Sequence, residues 1–361
     1  MRIAVFGLTV SSSWGNGHAT LWRGLIRALA ASGHHVTFFE RDVPYYRLHR
    51  DLHDLPGGRL VLYPDWDAVR AEAARAVAES DVAMVTSYCP DAVEAADLVL
   101  GQSRAARVFY DLDTPVTLSR LEAGEDVDYI GPNGLAGFDL ALSYTGGRAL
   151  DLLRSRLGAA RAAPLYGHVD PDVHRPVEPS PRFAADLSYL GTYAADRQAA
   201  LEALFVAPAE ARPLQRFLIG GAQYPDSFPW QPNIYFVHHL PPADHPAFFS
   251  SSRLTLNVTR AAMAAMGWCP SGRLFEAAAC GVPLVTDTWE GLDSFLTPGA
   301  EIVTARAAAD VTRALDLDDA ELRRIGRAAR ERVLDEHASS RRAAELVRLL
   351  EGARLPAAAE A

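Results

Sequence analysis

The sequence predicts an α/β protein with two domains, each built around a parallel sheet. Three observations support this class. Short apolar runs alternate with helical stretches along the whole chain, which is the pattern that parallel βαβ units produce. Residues 170–181, rich in Pro and charge, interrupt this pattern without periodicity and are typical of a linker. The 361 residues are enough for two domains of ordinary size, each with its own core.

The predicted elements show the same alternation on both sides of the linker. Before it, strands are expected at 2–8, 35–40, 82–86, 107–110 and 140–143, and helices at 18–32 and 67–80. After it, strands are expected at 187–190, 217–219, 234–237, 254–257 and 283–286, and helices at 195–205, 273–280, 319–334 and 338–352. Parallel sheets of this kind bind ligands at the carboxyl ends of their strands, so a site is expected in the loops that follow strands.

Composition and charge exclude several kinds of protein. All 35 basic residues are Arg, and the absence of Lys excludes Schiff-base chemistry, pyridoxal phosphate and the lysine of a P-loop kinase. A net charge of −10 argues against nucleic acid or an anionic membrane as the main partner. The apolar run in residues 1–10 is too short for a signal peptide or a membrane span, so no integral span is predicted.

The three cysteines, Cys89, Cys269 and Cys280, show neither metal-binding nor redox spacing. Buried thiols that pack as small hydrophobic groups are typical of a reducing compartment. We therefore expect a cytoplasmic protein.

Residues 271–287 form the most informative stretch of the chain. They predict a loop, a short helix over 273–280, a stop at Gly281 and a buried strand over 283–286. The start of such a helix offers backbone N–H groups and the positive end of the dipole to an anion. Arg273, in the first turn, opposes that dipole unless a phosphate or carboxylate faces it. Glu276 could accept hydrogen bonds from sugar hydroxyls, although an ordinary βα unit with a surface Arg and Glu has the same spacing.

Four segments in the same order resemble a known family. Residues 276–285, Glu-Ala-Ala-Ala-Cys-Gly-Val-Pro-Leu-Val, resemble the E-A-(M/A)-A-x-G-x-P-V-(V/I) block of group-1 nucleotide-sugar glycosyltransferases. Residues 165–176 are similar to the interdomain crossing of that family, 188–197 to the glycine loop that opens its donor domain, and 289–303 to its tail. Residues 257–260 with 272–276 and 291–302 look more closely like the CgeB (spore maturation protein) type. The resemblance covers the C-terminal half well and the N-terminal half in outline.

This resemblance implies the GT-B fold, two Rossmann-like domains that face each other across a cleft. Residues 1–172 would form the acceptor domain and 182–337 the donor domain, with the helix at 338–352 packing back on the first. The implied reaction moves a sugar from a nucleotide-diphosphate sugar to a hydroxyl of an acceptor that the sequence does not identify. It needs no cofactor besides this co-substrate.

The same resemblance, taken with the loops that follow strands, assigns the donor site. The donor would be bound by Gly191, Thr192, Gly220, Asn257, Arg260, Ser271, Gly272, Arg273 and Glu276. The guanidinium groups of Arg260 and Arg273 would stabilise the leaving diphosphate through charge-assisted hydrogen bonds. No metal ion is therefore expected.

A glycine turn, Trp14-Gly15-Asn16-Gly17-His18, follows the first predicted strand. It lacks the Gly-x-Gly-x-x-Gly spacing of a dinucleotide site, so NAD binding is not expected. It resembles the glycine loop of inverting GT-B enzymes, which implies that residues 14–17 lie on the acceptor side and that His18 is the general base. A helix start favours the neutral imidazole that a base needs. A helix-capping or solvent-facing histidine is the alternative.

Asp111 and Asp113 end another predicted strand. Either carboxylate could orient His18 or bind an acceptor hydroxyl, and Asp113 is our second catalytic candidate. The pair also has the D-x-D spacing of metal sites in the other main glycosyltransferase fold, but the phosphate site of the second domain makes a metal unnecessary. Capping of the next helix by Asp113 or Thr114 is an equally good interpretation.

One departure from the wider family affects the mechanism. A second Glu often stands eight residues before the position of Glu276, where this chain has Trp268. Retention of configuration that depends on this carboxylate pair is therefore not implied, and inversion is predicted. The alternatives are a retaining enzyme in which His18 only contacts sugar and a nucleotide-sugar epimerase of the same fold. A non-catalytic sugar-nucleotide sensor is disfavoured because His18 and both arginines are present.

Overall fold

The computed structural model describes residues 1–101 and 104–354, which fold into two compact units. The described residues of the first unit are 1–101, 104–166 and 339–354, and those of the second unit are 167–338. The segment that we predicted to be a linker, 170–181, thus belongs to the second unit. It contains no regular helix or strand before a short 3-10 turn at Pro181–Phe183.

The first unit is built on a parallel sheet. Its strands are β1 (Arg2–Gly7), β2 (His35–Arg41), β3 (Gly58–Tyr63), β4 (Val82–Thr86), β5 (Ala106–Asp111), β6 (Leu140–Ser143) and β7 (Ala162–Pro164). Their order across the sheet is β3-β2-β1-β4-β5-β6-β7. The strand order reverses between β1 and β4, and such a switch point is where α/β folds place ligand sites.

Helices follow the strands of this sheet. They are α1 (Gly17–Ala31), α2 (Pro44–Arg47), α3 (Trp66–Glu79), α4 (Ala92–Leu100), α5 (Thr114–Glu122) and α6 (Arg148–Leu157). Helix α1 buries Leu21, Leu25 and Leu29, which recur every four residues and so share one face. In the core, the rings of Phe6 and Phe39 stack with centroids 4.7 Å apart. This packing fixes the end of β1, from which the predicted glycine turn leads.

The second unit has a parallel sheet of the same kind. Its strands are β8 (Ala185–Leu190), β9 (Phe217–Gly221), β10 (Ile234–His238), β11 (Ser252–Asn257), β12 (Leu284–Thr286) and β13 (Val303–Thr304). Their order is β10-β9-β8-β11-β12-β13, so the reversal falls between β8 and β11. The loops after these two strands contain Gly191 and Arg260.

The helices of this unit are α7 (Gln198–Leu201), α8 (Ala207–Ala211), α9 (His245–Ser250), α10 (Ala261–Met266), α11 (Gly272–Ala279), α12 (Ala308–Leu315) and α13 (Asp319–Glu336). A π-helical stretch, Glu202–Val206, joins α7 to α8. The helix that we predicted at 195–205 therefore continues to Ala211. Pro208 lacks the N–H of a regular helix, and the π turn lies directly before the helical segment that contains it.

The last helix, α14 (Ser339–Arg354), belongs to the first unit and packs against α1. None of the helices in the described part of the chain is both long and apolar enough to cross a membrane.

All ten predicted strands are present, with ends shifted by at most two residues. Three strands were missed. β7 and β13 have only three and two residues, and β7 ends in Pro164. β3 lies at the edge of its sheet with a partly exposed pattern, so it lacks the continuous apolar run of a central strand.

Candidate active site

The loop between β1 and α1 is held by a buried carboxylate. Glu40, at the end of β2, accepts hydrogen bonds from the Thr9 hydroxyl (2.8 Å) and from the backbone N–H groups of Val10 (2.8 Å) and Ser11 (3.0 Å). Its side chain is fully enclosed. Sequence reasoning missed this residue, although a charged side chain closing the apolar run of β2 is a signal. The loop therefore leaves the sheet in a fixed direction.

The acceptor-side residues of the sequence prediction form a turn after this loop. The Trp14 ring stacks on that of His49, with centroids 3.9 Å apart and planes 9° apart. Gly15 has a φ of +60°, which favours glycine, and the Tyr45 hydroxyl lies 3.1 Å from the point that a Cβ would occupy. The Trp14 and Tyr45 side chains thus give this turn an aromatic surface.

Asn16 begins α1 by capping it. Its side-chain oxygen accepts a hydrogen bond from the backbone N–H of His18 (3.0 Å), and its amide donates to the Thr9 carbonyl (3.4 Å). Gly17 is the first helical residue, and no atom lies within 4 Å of where its Cβ would be. The cap comes from Asn16, so His18 is not the capping residue.

The structure brings His18 and Asp113 together. His18 Nε2 lies 3.9 Å from Asp113 Oδ2, a gap too long for a direct hydrogen bond. The Nδ1 atom of His18 is buried and has no hydrogen-bond partner among the described residues. Asp113 occupies the position before α5, but its side chain makes no capping hydrogen bond. The Thr114 hydroxyl bonds to Ser143 (2.7 Å), so the helix-capping interpretation is not supported.

Asp111 ends β5 and faces the interior. Its Oδ1 accepts a hydrogen bond from the backbone N–H of Asp113 (3.1 Å), whereas its buried Oδ2 has no partner among the described residues. Burial raises the pKa of the Asp111 carboxyl to about 6. Because Asp111 is fully buried, the D-x-D pair does not present two exposed carboxylates to a metal ion.

Tyr88 is a further residue of this edge that sequence reasoning missed. It follows β4, the strand beside β1, and has a φ of +63°, which is unusual for a bulky side chain. Its ring centroid lies 6.4 Å from that of His18 and 5.0 Å from that of Tyr129. Burial raises the pKa of Tyr88, and the nearby Asp113 carboxylate adds to that rise. The sequence feature from which Tyr88 could have been predicted as a site residue is its position after a central strand.

In the second unit, Gly191 and its neighbours close the end of β8. A Cβ at Gly191 would lie 2.7 Å from the Tyr189 hydroxyl, and one at Gly221 would lie 2.0 Å from the Gly191 carbonyl oxygen. Gly220 differs from the prediction, because it lies inside β9 and not after it. A Cβ there would meet Leu190 at 3.0 Å, so packing between strands explains this glycine.

Arg197 lies in the 3-10 turn after this loop and was not predicted as a site residue. Its Nη1 donates to the Thr192 carbonyl (3.3 Å) and to the Tyr189 hydroxyl (3.2 Å). Its Nε is buried without a partner among the described residues. Thr192 therefore contributes its backbone oxygen to holding a cation at the end of β8. The only sequence signal was an Arg six residues after Gly191.

Asn257 and Arg260 follow β11. Asn257 is buried, and its amide donates to the Thr286 hydroxyl (3.1 Å) at the end of β12, so it joins two strand ends. Arg260 Nε donates to Asp196 Oδ2 (3.1 Å), and its side chain is 32% exposed. Asp196 precedes Arg197 in the chain and pairs with Arg260, so this carboxylate interacts with two guanidinium groups.

Ser271 caps α11, and its hydroxyl accepts from the backbone N–H of Arg273 (3.3 Å). Gly272 and Arg273 are the first two helical residues, as the sequence predicts, and Gly281 after the helix has a φ of +79°. The helix precedes β12 of the parallel sheet, so its start lies at the carboxyl edge. Arg273 is 29% exposed and pairs through Nη1 with Glu276.

Glu276 is buried, whereas the alternative of an ordinary βα unit would place it at the surface. Its contact with a sugar hydroxyl stays a prediction. Burial alone would raise the pKa of this carboxyl, but Arg273, His174 and His245 together outweigh burial and bring the pKa to about 2. Two buried histidines also face the carboxylate. His174 Nε2 lies 3.9 Å from Glu276 Oε1, and His245 Nδ1 lies 3.8 Å from Glu276 Oε2. His174 comes from the predicted linker, which had no pattern from which to predict a contact.

His174, His245 and Glu276 have the donor atoms of a metal site, all within 4.8 Å of one another, and form such a group among the described residues. Burial lowers the pKa of both histidines, and Arg273 lowers that of His245 further. The guanidinium of Arg273 already stands against Glu276 and lies 3.4 Å from His245 Nδ1. A second cation at this place would be repelled by Arg273, so the arrangement favours a guanidinium over a metal ion.

Comparison with known proteins agrees with this description. Residues 197–348, which include most of the second unit, match the sequence model of a family described as glycosyl transferase-like. No curated protein matches the sequence.

Solved structures resemble the whole chain at low sequence identity. Sucrose-phosphate synthase from Thermosynechococcus elongatus is 15% identical with a TM-score of 0.69, covering 97% of this chain and 98% of the other. The fold is GT-B. Two other GT-B structures are Anabaena HepE in complex with UDP and glucose (11% identity, 98% and 100% covered, TM-score 0.67) and an α-glucosyltransferase in complex with UDP and a 13-mer DNA (14%, 97% and 99%, 0.68).

Proposed function

We propose that the protein is a glycosyltransferase that moves a sugar from a nucleoside-diphosphate sugar to a hydroxyl of an acceptor. The observation that carries the proposal is the basic carboxyl edge of the second sheet. Arg197 and Arg260 follow the central strands β8 and β11, and Arg273 stands at the start of α11. All three lie within the segment that matches the glycosyl transferase-like family.

This edge suits a leaving diphosphate. Guanidinium groups form charge-assisted and bidentate hydrogen bonds to phosphate, and the N-terminus of α11 adds its own N–H groups. Such contacts neutralise the charge that develops on the leaving group without a metal ion. HepE and the α-glucosyltransferase were solved with UDP, so a UDP-sugar is the first donor to test.

The acceptor and the base belong to the first unit in this proposal. The 3.9 Å gap between His18 Nε2 and Asp113 Oδ2 suits an arrangement in which His18 takes the acceptor proton and Asp113 stabilises the imidazolium. Trp268 supplies no carboxylate where a second Glu would stand, and its ring packs against Gly291. Direct attack by the acceptor, with inversion at the sugar carbon, is therefore the mechanism that we propose.

A thermal-shift screen against UDP-, GDP-, dTDP- and ADP-sugars tests the donor class, because a bound donor stabilises the folded state by mass action. We expect one nucleotide class to raise the melting temperature in a concentration-dependent way, and the matching free nucleoside diphosphate to do so as well. Absence of a shift with all four classes would contradict the proposal. Slow release of nucleoside diphosphate from the sugar donor in the absence of acceptor would separate a transferase from a sensor.

A further inference from the structure

Three buried side chains, His174, His245 and Glu276, lie near Arg273. The contacts of His245 indicate a specific role for it. His245, at the start of α9, is 3% exposed, and its Nε2 lies 3.3 Å from the Leu240 carbonyl oxygen. A carbonyl oxygen only accepts hydrogen bonds, so Nε2 carries the ring proton. In a neutral ring the other nitrogen, Nδ1, then presents a lone pair.

That lone pair faces two donors. Arg273 Nη1 lies 3.4 Å from His245 Nδ1, and His174 Nε2 lies 3.5 Å from the same atom. Arg273 Nη1 is also the nitrogen that pairs with Glu276. One edge of the guanidinium is thus held, whereas Nε and Nη2 have no hydrogen-bond partner among the described residues. These two nitrogens form the face that can bind a phosphate bidentately.

We propose that His245 is a positioning residue for the diphosphate site, in that its Nδ1 and the carboxylate of Glu276 together fix the Arg273 guanidinium with Nε and Nη2 turned toward the phosphates. This inference rests on the proposed function and adds a residue that no sequence pattern indicates. His174 Nε2 lies near both groups that hold Arg273, 3.5 Å from His245 Nδ1 and 3.9 Å from Glu276 Oε1. The cluster acts only through Arg273 and does not touch the sugar.

Two amide substitutions test the two ring nitrogens of His245 separately. In His245→Asn the amide oxygen can stand near the place of Nδ1 and accept from Arg273, but the contact with the Leu240 carbonyl is lost. In His245→Gln the amide nitrogen can reach the place of Nε2 and donate to Leu240, but Nδ1 has no replacement. His245→Asn removes one methylene more from the core than His245→Gln, so weaker binding in His245→Gln than in His245→Asn would not be explained by lost volume.

The test compares the affinities of UDP and uridine, measured by titration calorimetry and ligand-observed NMR on the full chain. For His245→Gln we expect roughly five- to tenfold weaker binding of UDP, which lies within the range of a single ordinary hydrogen bond, with uridine unchanged. His245→Asn should bind UDP within about twofold of the unmodified protein. Equal losses in both variants, or a larger loss in His245→Asn, would show that His245 only packs against Leu240 and would overturn the proposal.

A failure of the role proposed for His245 can be distinguished from a failure of the proposed glycosyltransferase function. If the unmodified protein binds neither UDP nor GDP, dTDP or ADP, the glycosyltransferase proposal fails first. If it prefers another nucleoside diphosphate, the same comparison is made with that nucleotide and its nucleoside. A Zn²⁺ titration completes the test: saturable binding of one Zn²⁺ per chain that both His245 variants abolish would make the cluster a metal site and overturn the positioning role. We expect no such binding.

Discussion

The two sheets share one topology but have opposite chemistry at their carboxyl edges. In each, the first strand of the unit lies centrally, with the second on one side and the fourth on the other. At the edge of the first sheet, Asp111 ends β5, Asp113 precedes α5, and His18 stands at the start of α1. At the second edge, the loops after β8 and β11 carry Arg197 and Arg260. The topology sets where a site can form, and the residues after each strand decide which charge it binds.

Two buried carboxylates show the same contrast in detail. Among the described residues no arginine pairs with Asp111 of the first unit, and burial raises its pKa to about 6. Glu276 of the second unit is buried as well, but Arg273, His174 and His245 together bring its pKa to about 2. Burial acts in the same direction on both carboxyls, so the difference comes from these basic side chains, of which Arg273 contributes most. A carboxyl that can hold a proton near neutral pH suits acid–base chemistry, whereas a permanently charged one suits holding a cation.

The largest expected effect tests the first edge. His18→Ala should lower turnover by about 10²–10⁴-fold, the usual contribution of general base catalysis, and leave donor binding intact. His18→Asn should be as inactive, because an amide cannot take the proton. Steady-state kinetics with donor titration would separate the two effects, and His53→Ala, which removes an exposed histidine of the same unit, is the control.

Near-normal turnover in His18→Ala would show that His18 at the first sheet does not act as the general base. The inverting mechanism would then fail, and a retaining enzyme in which His18 only contacts sugar would be the better account.

The second edge is tested by Arg273→Ala. We expect nucleoside-diphosphate binding to weaken by about 1.5–3 kcal/mol, the value of a hydrogen bond to a charged group, as measured by calorimetry. The variant leaves Glu276 buried without its cation, so R273A combined with E276Q separates lost contact from lost stability. Arg313→Ala removes a guanidinium that is 71% exposed and serves as the control. Unchanged affinity in both Arg273 variants would remove Arg273 from the site.

A smaller effect sharpens the contrast between the carboxylates. The folded-state pKa of Asp111 lies above its unfolded value of 3.8, so the stability that its neutral form provides is lost as pH rises through about 6. Asp111→Asn removes this loss. Relative to the unmodified protein, the variant should gain about 1–2 kcal/mol of unfolding free energy between pH 5 and pH 8.

Denaturant unfolding at several pH values measures this gain. Asp67→Asn, at an exposed position on α3, should show no such trend between pH 5 and pH 8. A flat difference for Asp111→Asn would show that this carboxyl is ionised throughout the range.

The sequence predicted the parts of both sites that depend on strand ends. The strands β1, β5 and β11 could be predicted from their apolar residues, so residues of the segments that follow them, such as His18 and Arg260, could be assigned to an edge without a structure. The end of α11 was predictable as well, because Gly281 followed by Pro283 is typical of a helix C-terminus. In the structure Gly281 has the positive φ that such a position favours. These features are local, and a few neighbouring residues decide them.

The residues that were missed depend on contacts between distant parts of the chain. His174 and His245 are 71 positions apart, and His174 lies in a segment without periodicity. Glu276 was predicted as a site residue, but its position beside His174 and His245 was not, because a helix pattern indicates which residues share a face but not what covers that face. Arg197 lacked a pattern for the same reason, since the Thr192 carbonyl that holds it belongs to an irregular loop.

The last prediction concerns metal ions and has the smallest expected effect. If guanidinium groups neutralise the leaving diphosphate, turnover should be unchanged in EDTA, as measured by nucleotide release with and without chelator. The first edge has carboxylates in D-x-D spacing, but Asp111 is buried and Asp113 Oδ2 faces His18. The second edge has His174, His245 and Glu276 together, but Arg273 already supplies their cation. Loss of activity in EDTA that Mg²⁺ or Mn²⁺ restores would point to the aspartates, because these ions prefer oxygen ligands. Restoration by Zn²⁺ alone would point to the histidines of the second unit. The identity of the ion that restores turnover would therefore show which of the two units contains the metal site.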